Sequence, residues 1–238
     1  MQAIVLCGGM GSRLRPLVDD VPKPMAEIDG RPFLEYLIGQ LRRNGFTDVV
    51  LCAGFMATEL ERHFVNGEAW GVNIRYSVER EARGTAGALK LAEPMLAGDR
   101  WLVMNGDSLF NFPLRDLAHA YARNPALVTI ALARVADAHR FGGVTCAPDG
   151  RITAFEEKPD APAPGLINSG VYIIERSVLG LIPADRPVSL ERDVLTQLGG
   201  AGLRGVIFEG YFIDIGTPED YLRAQRESAA FRDLASLS

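Results

Sequence analysis

The chain has 238 residues, of which 47% are hydrophobic and 23% charged, with a formal net charge of -5. This is the balance of a soluble globular protein, and the acidic excess argues against a general binder of nucleic acid or anionic membranes, so a phosphate site must be a local positive pocket. No apolar run approaches the roughly 18 residues that cross a bilayer. The N-terminus enters a strand without a charged leader, and Cys7, Cys52 and Cys146 show no metal-ligand or redox spacing. The expectation is a cytoplasmic protein with buried, reduced thiols, built as a single domain over residues 1–238.

The first predicted element is an apolar strand, Ala3–Cys7, which runs into the cluster Gly8-Gly9-Met10-Gly11-Ser12-Arg13 and then Val21-Pro22-Lys23-Pro24. Backbone N–H groups of Gly8, Gly9 and Gly11 can approach phosphate oxygens because no Cβ intervenes, while Arg13 and Lys23 supply positive charge. Two other phosphate loops do not fit. No Gly-Lys pair exists for a P-loop, and Leu14 stands where a dinucleotide fingerprint counted from Gly9 and Gly11 needs its third glycine.

Further along, strands are predicted at Asp48–Cys52, Asn73–Val78, Trp101–Asn105 and Leu127–Arg134. They alternate with amphipathic helices at Pro32–Asn44, Ala57–Phe64 and Thr85–Leu96. This alternation predicts a doubly wound α/β architecture, with the glycine loop and Asn105-Gly106-Asp107 emerging together beyond the carboxyl ends of the strands. After Gly142 the pattern changes to short strands, Gly143–Cys146, Arg151–Phe155 and Gly170–Glu175, read as an additional β region closing one side of the cleft. The Pro-rich stretch from Lys158 to Gly165 reads as a surface loop, and the last predicted helix is Pro218–Glu227.

Asp107 and Asp214 each end an apolar run, and two carboxylates at strand ends suit a shared Mg2+. Taken singly, Asp107 is equally well a helix cap and Asp214 a turn residue. His63, His119 and His139 have no matching partner in the sequence and read as surface residues rather than bases.

The glycine loop with its Arg13 and the Pro-Lys-Pro resembles the signature of the sugar-1-phosphate nucleotidylyltransferases, and the resemblance extends over nearly the whole chain. Two departures occur at the start: Cys7 replaces a usual alanine, and Val18-Asp19-Asp20 replaces a threonine. The resemblance implies a Rossmann-like mixed sheet of the nucleotide-diphospho-sugar transferase (GT-A-like) type, with a small additional β region over the cleft. Residues 1–135 would form mainly the nucleotide half and 136–228 mainly the sugar-phosphate half.

It also implies roles. Arg13 and Lys23 would be catalytic, Asp107 and Asp214 would hold Mg2+, and Leu6, Gly8, Gly9, Gly11, Ser12, Glu79, Gly84, Thr85, Asn105 and Gly106 would bind the nucleotide. Glu157 and Lys158 of Phe155-Glu156-Glu157-Lys158-Pro159, with Gly143, Asn168 and Ser189, would bind the sugar phosphate. The resemblance also puts Glu191 near the sugar beside Ser189, with a helix start as the alternative for Ser189-Leu190-Glu191, and packing by small residues is the alternative for Ala86-Gly87-Ala88.

Within the family, the runs Gly165–Gly170, Val188–Asp193 and Gly210–Gly216 look most like guanylyltransferases acting on D-glycero-α-D-manno-heptose 1-phosphate. GTP and a manno-configured heptose 1-phosphate would then be the partners, leading toward capsule or lipopolysaccharide glycan. Mannose-1-phosphate guanylyltransferase and N-acetylmuramate-1-phosphate uridylyltransferase are the nearest alternatives, and a glutamate at position 79 also occurs in uridine-using relatives. A GT-A glycosyltransferase would need an Asp-x-Asp, which Asn105-Gly106-Asp107 lacks, and a regulatory subunit would have no need of these charged residues. The sequence carries no sign that separates monomer from homodimer.

Overall fold

The computed structural model describes residues 1–9, 13–14, 17–18, 20–141, 143–155 and 162–236. Strands follow at β1 (Ala3–Leu6), β2 (Glu27–Ile28), β3 (Arg31–Pro32), β4 (Asp48–Ala53), β5 (Asn73–Val78), β6 (Arg100–Asn105) and β7 (Ser108–Asn111). The remaining strands are β8 (Val128–Val135), β9 (Val144–Cys146), β10 (Ile152–Phe155), β11 (Gly165–Glu175), β12 (Leu203–Phe208) and β13 (Tyr211–Asp214). The helices are α1 (Phe33–Arg43), α2 (Ala57–Phe64), α3 (Gly84–Ala92), α4 (Leu114–Arg123), α5 (Thr196–Gly202) and α6 (Pro218–Glu227).

Seven strands make one sheet in the order β12-β8-β11-β6-β1-β4-β5. Successive residues of a strand point to opposite faces, and both faces here are covered, which is why the strands read as continuous apolar runs. Ala3 and Val5 enter the core shared with α1, whereas Ile4 and Leu6 enter the core shared with α3. Strand β1 is parallel to β4 on one side and β6 on the other, with Leu6 level with both Cys52 and Asn105. The chain therefore changes direction across the sheet at β1. The crevice beyond the carboxyl ends of β1 and β6 is where such sheets bind ligands.

The mixed sheet and the additional β region match the expected fold, with local corrections. Strand β11 is longer than predicted and lies inside the main sheet, antiparallel to β6 and β8, instead of belonging to the added region. That region consists of the β9–β10 hairpin. The turn carrying Asp107 leads into a strand: β7 pairs antiparallel with β13, setting Ser108 opposite Asp214. Helix α3 stops at Ala92 and gives way to a tight turn over Glu93–Met95, because Pro94 cannot continue the α-helical ladder. Strand β12 was not anticipated, since Leu203-Arg204-Gly205 has no clear alternation; it is recruited as an edge by parallel pairing with β8.

Candidate active site

Lys23, Asp107 and Asp214 converge at the carboxyl end of the sheet. Lys23 opens a tight turn, Lys23–Met25, with Pro22 and Pro24 restricting the backbone on both sides. Its side chain is only 9% exposed, and its Nζ lies 2.6 Å from Asp107 Oδ2. Asp107 occupies the turn between β6 and β7, and its carbonyl oxygen accepts the Ile215 N–H at 2.9 Å, tying the end of β13 to the same place. Asp214 Oδ1 accepts the Gly216 N–H at 2.6 Å. A Cβ on Gly216 would stand 2.6 Å from Asp214 Oδ1 and 3.3 Å from Lys23 Nζ, so close approach of the three groups requires glycine there. Burial, then repulsion from Asp107, push the Asp214 carboxyl up to about 6 despite the opposing pull of Lys23.

This donor set fits the divalent metal that the resemblance implies. Mg2+ is held by one or two carboxylates, with phosphate and water oxygens completing its shell, and two carboxylates close enough to repel each other are stabilised by a cation. Among the described residues no group of three or more His, Cys, Asp or Glu side chains gathers for a metal.

On the other side of β1, Glu79 follows β5 and presses its carboxylate against glycine backbone. A Cβ on Gly8 would fall 2.4 Å from Glu79 Oε1, and one on Gly54 would fall 2.8 Å from the same oxygen. Glu79 Oε2 accepts the Arg83 N–H at 3.1 Å. Burial raises the carboxyl of Glu79, opposed by Arg83. Gly9 is exposed with open space around it, Leu6 and Leu14 are buried, and Arg13 is exposed.

Helix α3 begins at Gly84. The Val188 carbonyl accepts N–H groups from Ala86 at 3.0 Å and Gly87 at 3.3 Å, and Ala86, Gly87 and Ala88 are buried. The small residues there pack α3 against the segment before Ser189. The Thr85 hydroxyl is likewise engaged, donating to Glu191 Oε2 at 2.9 Å and accepting the Leu190 N–H at 2.7 Å.

A cavity of about 270 Å3 opens between β11 and the added β region, lined in part by Asn105, Gly143, Asn168, Tyr172, Glu191 and Asp214. Phe141, Phe155 and Phe212 supply its apolar walls. Asn105, Asn168 and Gly143 are thus brought together, and Asp214 joins this cavity to the carboxylate site. Ser189 is not in the lining. Its hydroxyl accepts the Arg192 N–H at 3.2 Å as a helix cap and donates to Glu191 Oε2 at 3.1 Å. Gly11, Ser12, Glu157 and Lys158 lie outside the described residues.

Sequence reasoning missed Gly54, the aromatic walls and the hydrogen bonds gathered on Glu191. A glycine just past the end of a strand was a usable signal for Gly54. The aromatic walls come from Phe141, Phe155 and Phe212, far apart in sequence, and no local pattern marks them. His63 also departs from the surface reading: it packs against Phe64 and Trp70 and lies 2.8 Å from Glu35 Oε1. Among the described residues no helix is long and apolar enough to cross a membrane.

The family described as "Nucleotidyl transferase" matches residues 2–230. The D-glycero-alpha-D-manno-heptose 1-phosphate guanylyltransferase of Aneurinibacillus thermoaerophilus is 38% identical over 228 residues, covering 95% of this chain and 98% of that protein. The Campylobacter jejuni enzyme of the same name is 35% identical, covering 93% and 97%. Mannose-1-phosphate guanylyltransferase of Mycobacterium tuberculosis is 37% identical over 95% of this chain, but the chain spans only 64% of its length. Among solved structures, HddC from Yersinia pseudotuberculosis, also solved with GMP-PN, superimposes with a TM-score of 0.85 at 29% identity, covering 95% of this chain and 99% of that one.

Proposed function

We propose that this chain, which belongs to the nucleotidyl transferase family and is an enzyme of nucleotidyl transfer from a nucleoside triphosphate to a sugar 1-phosphate, works specifically with GTP and D-glycero-α-D-manno-heptose 1-phosphate. The products are GDP-D-glycero-α-D-manno-heptose and pyrophosphate. The observation that carries this reading is the sequence similarity to two heptose 1-phosphate guanylyltransferases, 38% and 35% identical over 95% and 93% of this chain. The reaction site is cytoplasmic in this reading.

The chemistry needs no protein nucleophile. A sugar 1-phosphate is largely dianionic at neutral pH, its second pKa being about 6. One of its oxygens attacks the α-phosphorus in line; the new P–O bond forms as the bond to the bridging oxygen breaks and pyrophosphate leaves with that electron pair. The enzyme's task is to align two anions and offset their repulsion. Arg13 carries charge to the triphosphate, and Lys23, held almost buried at Asp107, places an ammonium beside the reacting phosphates. Lys158 holds the sugar phosphate. Mg2+ held by Asp107 and Asp214 would add charge neutralisation at the phosphate oxygens.

Leu6, Gly8, Gly9, Gly11, Ser12, Gly84 and Gly106 form the nucleotide seat, with Glu79 accepting N–H donors of the base. Gly143, Glu157, Asn168 and Ser189 belong to the sugar seat. Residues 1–135 and 136–228 then act as the two halves of one domain.

The test is a panel of four nucleoside triphosphates against heptose, mannose and N-acetylmuramate 1-phosphates, read by pyrophosphate release with Mg2+. Turnover should be highest with GTP and the heptose. Preference for mannose 1-phosphate, or for UTP with the muramate, would replace the substrate assignment, and no turnover with any pair would refute the activity.

A further inference from the structure

The cavity beside β11 contains a carboxylate to which the reaction scheme gives no role. Glu191 lies at the start of a π-helical segment, Leu190–Leu195, a wide helical form that is rare and concentrates at functional sites. Its two oxygens are treated differently. Oε2 is fixed from behind by the Thr85 hydroxyl at 2.9 Å and the Ser189 hydroxyl at 3.1 Å. Both supporting hydroxyls are themselves locked, Thr85 by the Leu190 N–H and Ser189 by the Arg192 N–H.

Among the described residues Oε1 has only long contacts, 3.5 Å to Asn105 Nδ2 and 3.4 Å to the Tyr172 hydroxyl. Hydrogen bonds of these kinds normally close to about 2.7–3.0 Å. An ionised carboxylate offers about four acceptor positions, so the cavity-side oxygen has capacity to spare. Asn105 Oδ1, in the same wall, is buried and has no hydrogen-bond partner among the described residues. The Asn168 amide bonds Tyr172 at 2.9 Å and thereby braces the same wall. The cavity thus offers under-used acceptors between aromatic walls. That combination suits a monosaccharide ring, which presents hydroxyl donors at its edge and C–H groups on its faces.

We propose that Glu191 is a specificity-determining residue for the sugar: its Oε1 accepts a hydrogen bond from a ring hydroxyl, while Thr85 and Ser189 act as positioning residues behind it. The inference rests on the sugar 1-phosphate reading above. It gives the Thr85 hydroxyl a part in sugar selection rather than in nucleotide contact.

The test uses the full chain, wild type, Glu191→Gln and Thr85→Val, with saturating GTP. The acceptor is the better of heptose and mannose 1-phosphate, together with its 2-, 3- and 4-deoxy analogues. In the wild type, one deoxy analogue should raise KM by about 10–100-fold, the range for losing a hydrogen bond to a charged group. Glu191→Gln should raise KM for the parent sugar by at least about tenfold and shrink that analogue's extra penalty to within about threefold, as a double-mutant cycle requires of a direct contact. Thr85→Val should shift the sugar KM in the same direction by a smaller factor, with KM for GTP unchanged.

Undiminished discrimination in Glu191→Gln at every position, or a rise in KM for GTP instead of the sugar, would overturn the proposal. If thermal melts show that Glu191→Gln does not fold, Thr85→Val decides: an unchanged sugar KM overturns it. A wild-type enzyme that turns over no sugar 1-phosphate refutes the parent reading and this one together, whereas wild-type turnover with unaltered discrimination in the variants refutes this one alone.

Discussion

Glu79 shows how one residue serves two opposed demands. Its carboxylate is pressed into space left by Gly8 and Gly54, and burial there lifts its pKa above the ordinary 4.5. A carboxyl raised in the folded state binds its proton more readily folded than unfolded. This group's contribution to stability is therefore most favourable below the unfolded value and falls as pH rises through the raised one. Glu79→Gln should gain in thermal midpoint relative to wild type between pH 4 and pH 7.5, while its KM for GTP rises about tenfold or more. Parallel melting curves and GTP titrations check both, and an unchanged KM would remove Glu79 from the base. Asp107→Asn should lower kcat by at least about 100-fold with the circular dichroism spectrum retained; near-normal turnover would refute its place at the reacting phosphates. That Asp107 and Asp214 meet beside Lys23 was expected only from the resemblance, because either aspartate alone reads as a cap or a turn. For Glu191 the resemblance implied a place near the sugar and the local pattern a helix start; the contacts that orient it could not be read, because its partners arrive from positions 85, 105 and 172.

At the scale of elements, α6 is both well announced and unexpectedly employed. Thr217 accepts the Asp220 N–H at 3.3 Å and donates to Asp220 Oδ2 at 2.8 Å, with Pro218 at the first helical position, so the sequence predicts this helix start directly. What the sequence does not announce is that Arg140, 80 residues earlier, grips both Asp220 oxygens and also donates to the Thr217 hydroxyl at 3.0 Å. This clamp fastens the segment bearing Phe141 and Gly143, which line the cavity beside β11, to the helix that follows Asp214. Asp220 is 1% exposed, so Arg140→Ala leaves a buried charge with only the more distant Arg223, at 4.0 Å, as an ion-pair partner among the described residues. The expected cost is about 3–5 kcal/mol in denaturant unfolding. Where the variant still folds, KM for the sugar phosphate should rise more than KM for GTP, and equal changes in both would show that the clamp does not serve the cavity.

For the molecule as a whole, the two ends of the sequence share one core. The C-terminal turn Arg232–Ala235 packs on α1, with Phe231, Leu234 and Ala235 buried. A Cβ on Gly39 would fall 1.8 Å from the Leu234 carbonyl oxygen. Gly39→Ala should therefore destabilise the protein by about 1–3 kcal/mol, seen as a lower denaturant midpoint, although alanine favours helix. A midpoint at or above that of wild type would show that the tail does not press on α1. The parallel half of the sheet was legible because buried strands alternating with helices leave a local pattern. The insertion of β11 between β6 and β8 was not, because strand order is settled by pairing between distant segments. That insertion bears on synthesis at the ribosome. Strands β1, β4, β5 and β6 are complete once Asn105 has emerged, but the free edge of β6 finds its neighbour only when Glu175 has been made, 70 residues later. At roughly 5–20 residues per second, the nascent chain carries an open, apolar strand edge for roughly 4–14 seconds. During that interval, pairing with another chain competes with correct folding.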